Sequence, residues 1–317
     1  MLFIAFGWLL GLGGVSIDVL SAEDVLVVRS SSASPYRQAE VQVLATLNRT
    51  NHNCIQLDLK SAGHQAVVQS MRQVKMCIAI GTSAAKVLHA NLEPEHVLVY
   101  CMVAQPDQID IKPSNRVFEI SINIPISTQM ELIRSTLPHA RQIGMLYDGR
   151  NTNSVRIFEA AKQAVPKGFT FRGEDVSKHR SVAAALHALI GHGIDVLWTA
   201  PDRAIFVNTS VVRAIVSGCL KRRKPVYGFS MEVVRYGGLI GLVLNARSQG
   251  TQSAEVAIKL LSVMDKVPNA DLTAKVPNRV APRPDIVINM QIVRYLNLRR
   301  IPPKIMDQAR FKLGELK

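Results

Sequence analysis

The sequence predicts an α/β fold of two successive lobes, each a parallel sheet flanked by helices, with a ligand cleft between them. Three observations predict it. Short apolar runs rich in Val, Ile and Leu recur along the chain and read as strands covered on both faces. Helix-period segments alternate with them, which implies right-handed βαβ units. The alternation restarts near residue 128, and 317 residues exceed the usual size of a single core.

The first fifteen residues are almost wholly apolar, uncharged and shorter than the roughly 20 residues a spanning helix needs. With small residues for cleavage after Ser21 or Ala22, residues 1–22 read as a secretory signal peptide, although no Lys or Arg precedes the apolar core. A buried N-terminal helix is the alternative. Strands are then predicted over 25–28, 54–59, 76–80, 96–103 and 117–124, with helices over 37–50, 66–74 and 81–89 between them. In the second half, helices over 128–137, 153–165, 182–191, 204–220 and 250–264 alternate with strands over 142–147, 169–176, 196–199, 224–230 and 239–244. The segment from 267 to the end is Pro- and Arg-rich, with a short strand at 286–288 and short helices beyond. The chain is expected to cross between lobes near Asn123–Pro125, near Leu244 and Asn245, and near Leu272. Lobe one is therefore residues 23–123 plus 245–272, and lobe two 124–244 plus 273–317.

Composition bounds the function without naming it. Apolar residues make up 48% of the chain, enough for real cores, and with aromatics at 5% aliphatic packing must dominate. A net charge of +14 admits nucleic acid, an anionic membrane surface or acidic partners, but fixes no fold or activity. The cysteines (Cys54, Cys77, Cys101, Cys219) are widely spaced with no CxxC, so an oxidising compartment permits a disulfide that the spacing does not demand.

The order of these pieces resembles the ABC transporter substrate-binding family that includes tryptophan- and tyrosine-type solute receptors. The resemblance rests on Ile80–Ala85 (IGTSAA), on Leu137–Tyr147 (LPHARQIGMLY), and on Asp195–Asp202 (DVLWTAPD). It continues through Pro225–Ser230 with Gly237 and Gly238, and ends with Ile288, Asn289 and Ile301–Pro303. No one motif is specific; their order and spacing over 25–309 are. The resemblance implies two Rossmann-like lobes of the periplasmic binding protein type I fold, closing on a small ligand. It also implies a periplasmic, monomeric, non-enzymatic protein that needs no cofactor and partners a membrane permease. A departure stands at Gln105, where the family usually carries an aspartate before the proline.

An amino-acid ligand would need donors for its carboxylate and an anion for its ammonium. Thr82 and Ser83 stand where a helix begins, so their hydroxyls and the backbone N–H groups suit an anion; plain N-capping serves as well. Asp202, at the tip of a buried strand, would pair with the ammonium or cap a helix starting near Ala204. Ser32 and Tyr36 at the tip of the first strand, Tyr147, Asn153 and Ser154 in a turn-rich stretch, and Ser230 complete the predicted contacts, with Asn153 or Ser154 capping the next helix.

Other chemistries find little support. Gly228–Glu232 misses the nucleophile elbow because its fifth position is Glu. The histidines lack ligand spacing for a metal. The Lys221–Lys224 run suits a helix C-terminus, and nucleic-acid binding would want a recognition helix or stacking aromatics. A ligand-sensing regulatory module acting through a partner protein is the alternative function.

Overall fold

The computed structural model describes residues 25–264, 266, 271–298 and 301–314. The expected signal peptide lies outside the described residues. Lobe one opens with β1 (Val25–Arg29), β2 (Cys54–Asp58), β3 (Met76–Ile80), β4 (Val97–Cys101) and β5 (Val117–Ile120). Lobe two follows with β6 (Gln142–Tyr147), β7 (Thr170–Asp175), β8 (Val196–Trp198), β9 (Val226–Gly228) and β10 (Ile240–Val243). The chain then adds β11 (Arg279–Val280), β12 (Asp285–Asn289) and β13 (Ala309–Leu313). The six-stranded sheet runs β11-β5-β4-β3-β1-β2 and is parallel throughout. The seven-stranded sheet runs β13-β12-β10-β9-β8-β6-β7, with β12 antiparallel to β10. Two α/β lobes are thus the architecture.

Burial follows the strand period. Val25 and Val27 face helices Ser34–Asn48 and Ala246–Met264, whereas Leu26 and Val28 face His64–Met71 and Thr82–Ala90. The first two helices touch because residue 250 is glycine: a Cβ there would meet the Ala39 carbonyl oxygen at 2.1 Å. In lobe two, helices Ile126–Thr136 and Thr152–Gln163 cover one face around Trp198. Val182–Gly191 and Thr209–Lys221 cover the other around Leu197. No disulfide joins the four cysteines, and burial pushes the Cys77, Cys101 and Cys219 thiols up to about 12.

Two expectations need correction. The helix expected over 204–220 begins at Thr209, because Asn208 supplies the cap through its Oδ1 to Val211 N–H, at 3.0 Å. The third crossing falls at 281–284 rather than near Leu272. Leu272 and Val276 are buried in the lobe-one core, and β11 pairs with β5 through Arg279↔Glu119 and Val280↔Ile120. Arg279 Nε also meets the Glu119 carboxylate, buried at the sheet edge, at 2.8 Å, which gives this short strand its anchor.

Each crossing is held by a side-chain amide. Gln249 Nε2 donates to Ser121 O at 3.2 Å, and Gln129 Nε2 donates to Ile124 O at 2.9 Å while its Oε1 accepts from Trp198 Nε1. Asn245 Nδ2 donates to Asp285 Oδ2 at 2.7 Å. Gln252 donates to Ala281 O at 3.1 Å and accepts from Arg283 N–H at 2.9 Å. The three glutamine amides stand in for sheet partners that the crossing segments lack. Gln252→Leu should therefore strand both backbone groups and cost about 1–3 kcal/mol, read as a lower urea midpoint; an unchanged midpoint would refute the assignment.

Candidate functional site

All the predicted contacts lie at or beside the C-terminal tips of parallel strands, where α/β sheets bind ligands. In lobe one, Gly81 (φ +92°) turns the chain from β3 into helix Thr82–Ala90, and a Cβ there would meet Ser30 Oγ at 2.7 Å and the Tyr36 ring at 2.8 Å. Ser30 Oγ accepts the Ala84 N–H of that helix at 3.0 Å, from 54 residues upstream. The Thr82 and Ser83 hydroxyls form no cap bond, so the capping alternative for this pair gives way. Ser32 is engaged inside the lobe: its hydroxyl donates to Asp58 Oδ2 at 2.6 Å, beside the Arg29 guanidinium at 3.0 Å, which also holds Glu40. The Ser32 bond does most to hold the Asp58 carboxyl below its usual range; burial opposes it, and the Lys60 N–H and Arg29 assist. Gln105 is exposed, and its backbone is left-handed (φ 51°), as is that of Met102 (φ 56°) and Asp110 (φ 57°) in the same loop after β4. Left-handed non-glycine backbone costs on the order of 1–3 kcal/mol per residue and gathers where a loop's shape is under demand.

Lobe two spends its polar tips on itself. Asn151, not Asn153 or Ser154, caps helix Thr152–Gln163, leaving Asn153 exposed with its Oδ1 accepting from Arg156 at 2.8 Å. Ser154 is fully buried, accepts the Asp148 N–H at 2.8 Å and donates to Asp202 Oδ2. Asp202 is 3% exposed, and its other oxygen accepts the Ala204 N–H at 2.9 Å. Its carboxylate therefore ties the β8 tip to the β6 tip and is not presented open to a ligand here. Tyr147 stacks on Phe158 at 4.4 Å and 7°, and Phe158 on Phe171 at 5.8 Å, so the ring belongs to the helix layer. Burial, followed by the charge of Asp175, raises its phenol. Ser230 caps the helix Met231–Arg235 through Val233 N–H at 3.3 Å.

A cavity of about 910 Å³ opens between the lobes beside the crossings. Tyr36, Met102 and Ile122 wall it from lobe one, Leu244 from a crossing, and Met231 and Phe311 from lobe two. Its charged residues are Arg247, Asp285 and Arg310. Asp285 is doubly engaged, by Arg310 at 3.2 Å and by Asn245. Of the predicted contacts, Tyr36 lines this cavity. The others missing from its wall sit along the tips, while Arg310 and Phe311 come from β13, in a segment expected to hold short helices. Among the described residues no group of three His, Cys, Asp or Glu is placed to hold a metal ion.

The profile of the family described as ABC transporter substrate binding protein matches residues 47–310. A tyrosine-binding protein of Clostridioides difficile (strain R20291) is 21% identical over 229 residues, 70% of this chain and 63% of that relative's length. Among solved structures, a Streptococcus pneumonia domain in complex with L-Trp is 20% identical with a TM-score of 0.52, over 92% of this chain and 100% of that one. A ligand-free, open substrate-binding protein with adhesive properties from Clostridium difficile is 17% identical with a TM-score of 0.69, over the same shares of 92% and 100%. At these identities the structural likeness speaks for the fold.

Two outcomes test the tip assignments. Asp202→Ala should leave the Ser154 O–H and the Ala204 N–H without an acceptor and lower stability by about 1–3 kcal/mol, measured by thermal unfolding without ligand; an unaltered melting temperature would refute the tie. A depressed carboxyl pKa contributes stability that is present above the unfolded value, near pH 4, and lost as pH falls through the folded value. The stability gap between wild type and Asp58→Asn should accordingly be larger at pH 7 than at pH 3 in urea titrations. A gap that is constant with pH would count against the Ser32–Asp58–Arg29 cluster.

Proposed function

Because this chain belongs to the family of ABC transporter substrate-binding proteins, we propose that it is the exported solute receptor of an importer, closing by hinge motion on a small ligand and delivering it to a membrane permease. The observation that carries this reading is the cavity between two lobes whose crossings are single segments held by side-chain amides. Such crossings let the lobes rotate while each core stays intact. The ligands of the relatives, tyrosine and L-Trp, favour an amino acid or a related molecule. In this proposal Thr82, Ser83, Gln105 and Ser230 face the ligand from the tips and Tyr36 from the cavity wall. Asp202 and Ser154 act mainly by fixing the lobe-two tips. Binding and release need no chemical step, so the protein is read as no enzyme. Export rests on the apolar 1–22 segment, whose removal would show as an intact mass short by residues 1–21 or 1–22.

A ligand at a hundredfold excess over its Kd stabilises the folded state by about 2.7 kcal/mol. A thermal-shift panel of amino acids, short peptides, sugars and purines should thus contain at least one hit. That hit should also reduce the radius of gyration in small-angle scattering. Failure of the whole panel to raise the melting temperature would overturn the reading.

A further inference from the structure

The hinge-side cavity carries an unbalanced charge. Arg310 is matched by Asp285, which is itself 13% exposed at its side chain and also accepts from Asn245. Arg247 lines the same cavity in the first turn of helix Ala246–Met264 and forms no ion pair among the described residues. Asp285 is the one carboxylate in the wall, so the lining bears one excess positive charge. Apart from the amides of Gln38, Asn245 and Gln249, the rest of the wall is largely apolar, with Tyr36, Met102, Ile122, Met231, Leu244 and Phe311 its largest members.

We propose that this cavity takes an amphipathic monoanion, an aryl or alkyl carboxylate, with Arg247 as its counter-charge and the apolar wall around its body. The proposal rests on the receptor reading above and names the ligand class of the same interlobe space. A carboxylate beside an unpaired guanidinium gains two parallel charge-assisted hydrogen bonds. An ammonium gains no comparable partner, because the one carboxylate in the wall, Asp285, already neutralises Arg310, and the other side-chain acceptors there are uncharged. The ligand's anionic end is therefore required, and an ammonium on the same molecule is dispensable. The volume, about 910 Å³, lies within the roughly 300–1,000 Å³ of small-molecule pockets.

The test uses three probes of one shape: 3-phenylpropionate, L-phenylalanine and 2-phenylethylamine, each titrated calorimetrically into wild type, Arg247→Gln and Arg247→Lys. Wild type should bind 3-phenylpropionate and fail to bind 2-phenylethylamine. Arg247→Gln should weaken the propionate at least tenfold, and Arg247→Lys should recover part of that loss. Circular dichroism of each variant confirms that the fold is kept. Equal propionate affinity in wild type and Arg247→Gln would overturn the proposal, as would binding of the amine. If L-phenylalanine binds and compacts the protein while 3-phenylpropionate does not, the receptor reading stands and the anion proposal falls. If none of the three binds, the anion proposal falls, and the broader solute panel alone decides the receptor reading.

Discussion

A polypeptide that passes between two sheets must leave backbone N–H and C=O groups without ladder partners at each passage, and burial makes each such group costly. Here the cost falls at Ser121, Ile124, Ala281 and Arg283, and it is met by Gln249, Gln129 and Gln252. A side-chain amide suits this place because it both donates and accepts, as Gln252 does toward two residues of one crossing. Two of these glutamines, Gln249 and Gln252, lie on the helix that packs against Ser34–Asn48 through the Gly250 contact. The separation of the sheets thus rests on lobe-one packing, and the cavity rests on that separation.

The strand tips follow a different economy. Their carboxylates are drawn inward: Asp58 to Arg29 and Ser32, Asp175 to Gly149 N–H and Ser177, Asp202 to Ser154 and Ala204 N–H. Tips tied in this way present a fixed rim, which lowers the ordering cost of binding. It also leaves neutral hydroxyls and amides, such as Thr82, Ser83 and Gln105, as the polar groups at the rim of lobe one.

Strands buried on both faces were the legible part of the sequence. Runs such as Val25–Val28 and Met76–Ile80 have no reading other than covered parallel strands, and they set the order of both lobes. β11 and β13 were illegible for the opposite reason: one spans two residues, the other is a five-residue edge strand with no buried residue, and only pairing with β5 or β12 makes either a strand. The third crossing was misplaced as a consequence. For the site, sequence spacing located the tips but not the direction of each side chain. Asp202 and a free carboxylate look alike in sequence; Ser154, 48 residues away, makes the difference. Tyr147 likewise read as a cleft residue until Phe158 supplied its stacking partner.

The cavity and the crossings share residues, and this bears on how a bound solute could act. A ligand shifts a conformational equilibrium only by its difference in affinity between the two states. One held solely by a lobe-one tip would touch nothing that moves relative to it. Asn245 and Gln249 line the cavity and also bond Asp285 and Ser121, at the crossings themselves. Tyr36 and Phe311 approach the same space from opposite lobes. An occupant of that space contacts both bodies and the segments joining them, so its binding free energy necessarily changes with the angle between the lobes. On the proposed closure, the hinge side of the cleft is where occupancy is converted into a change of shape.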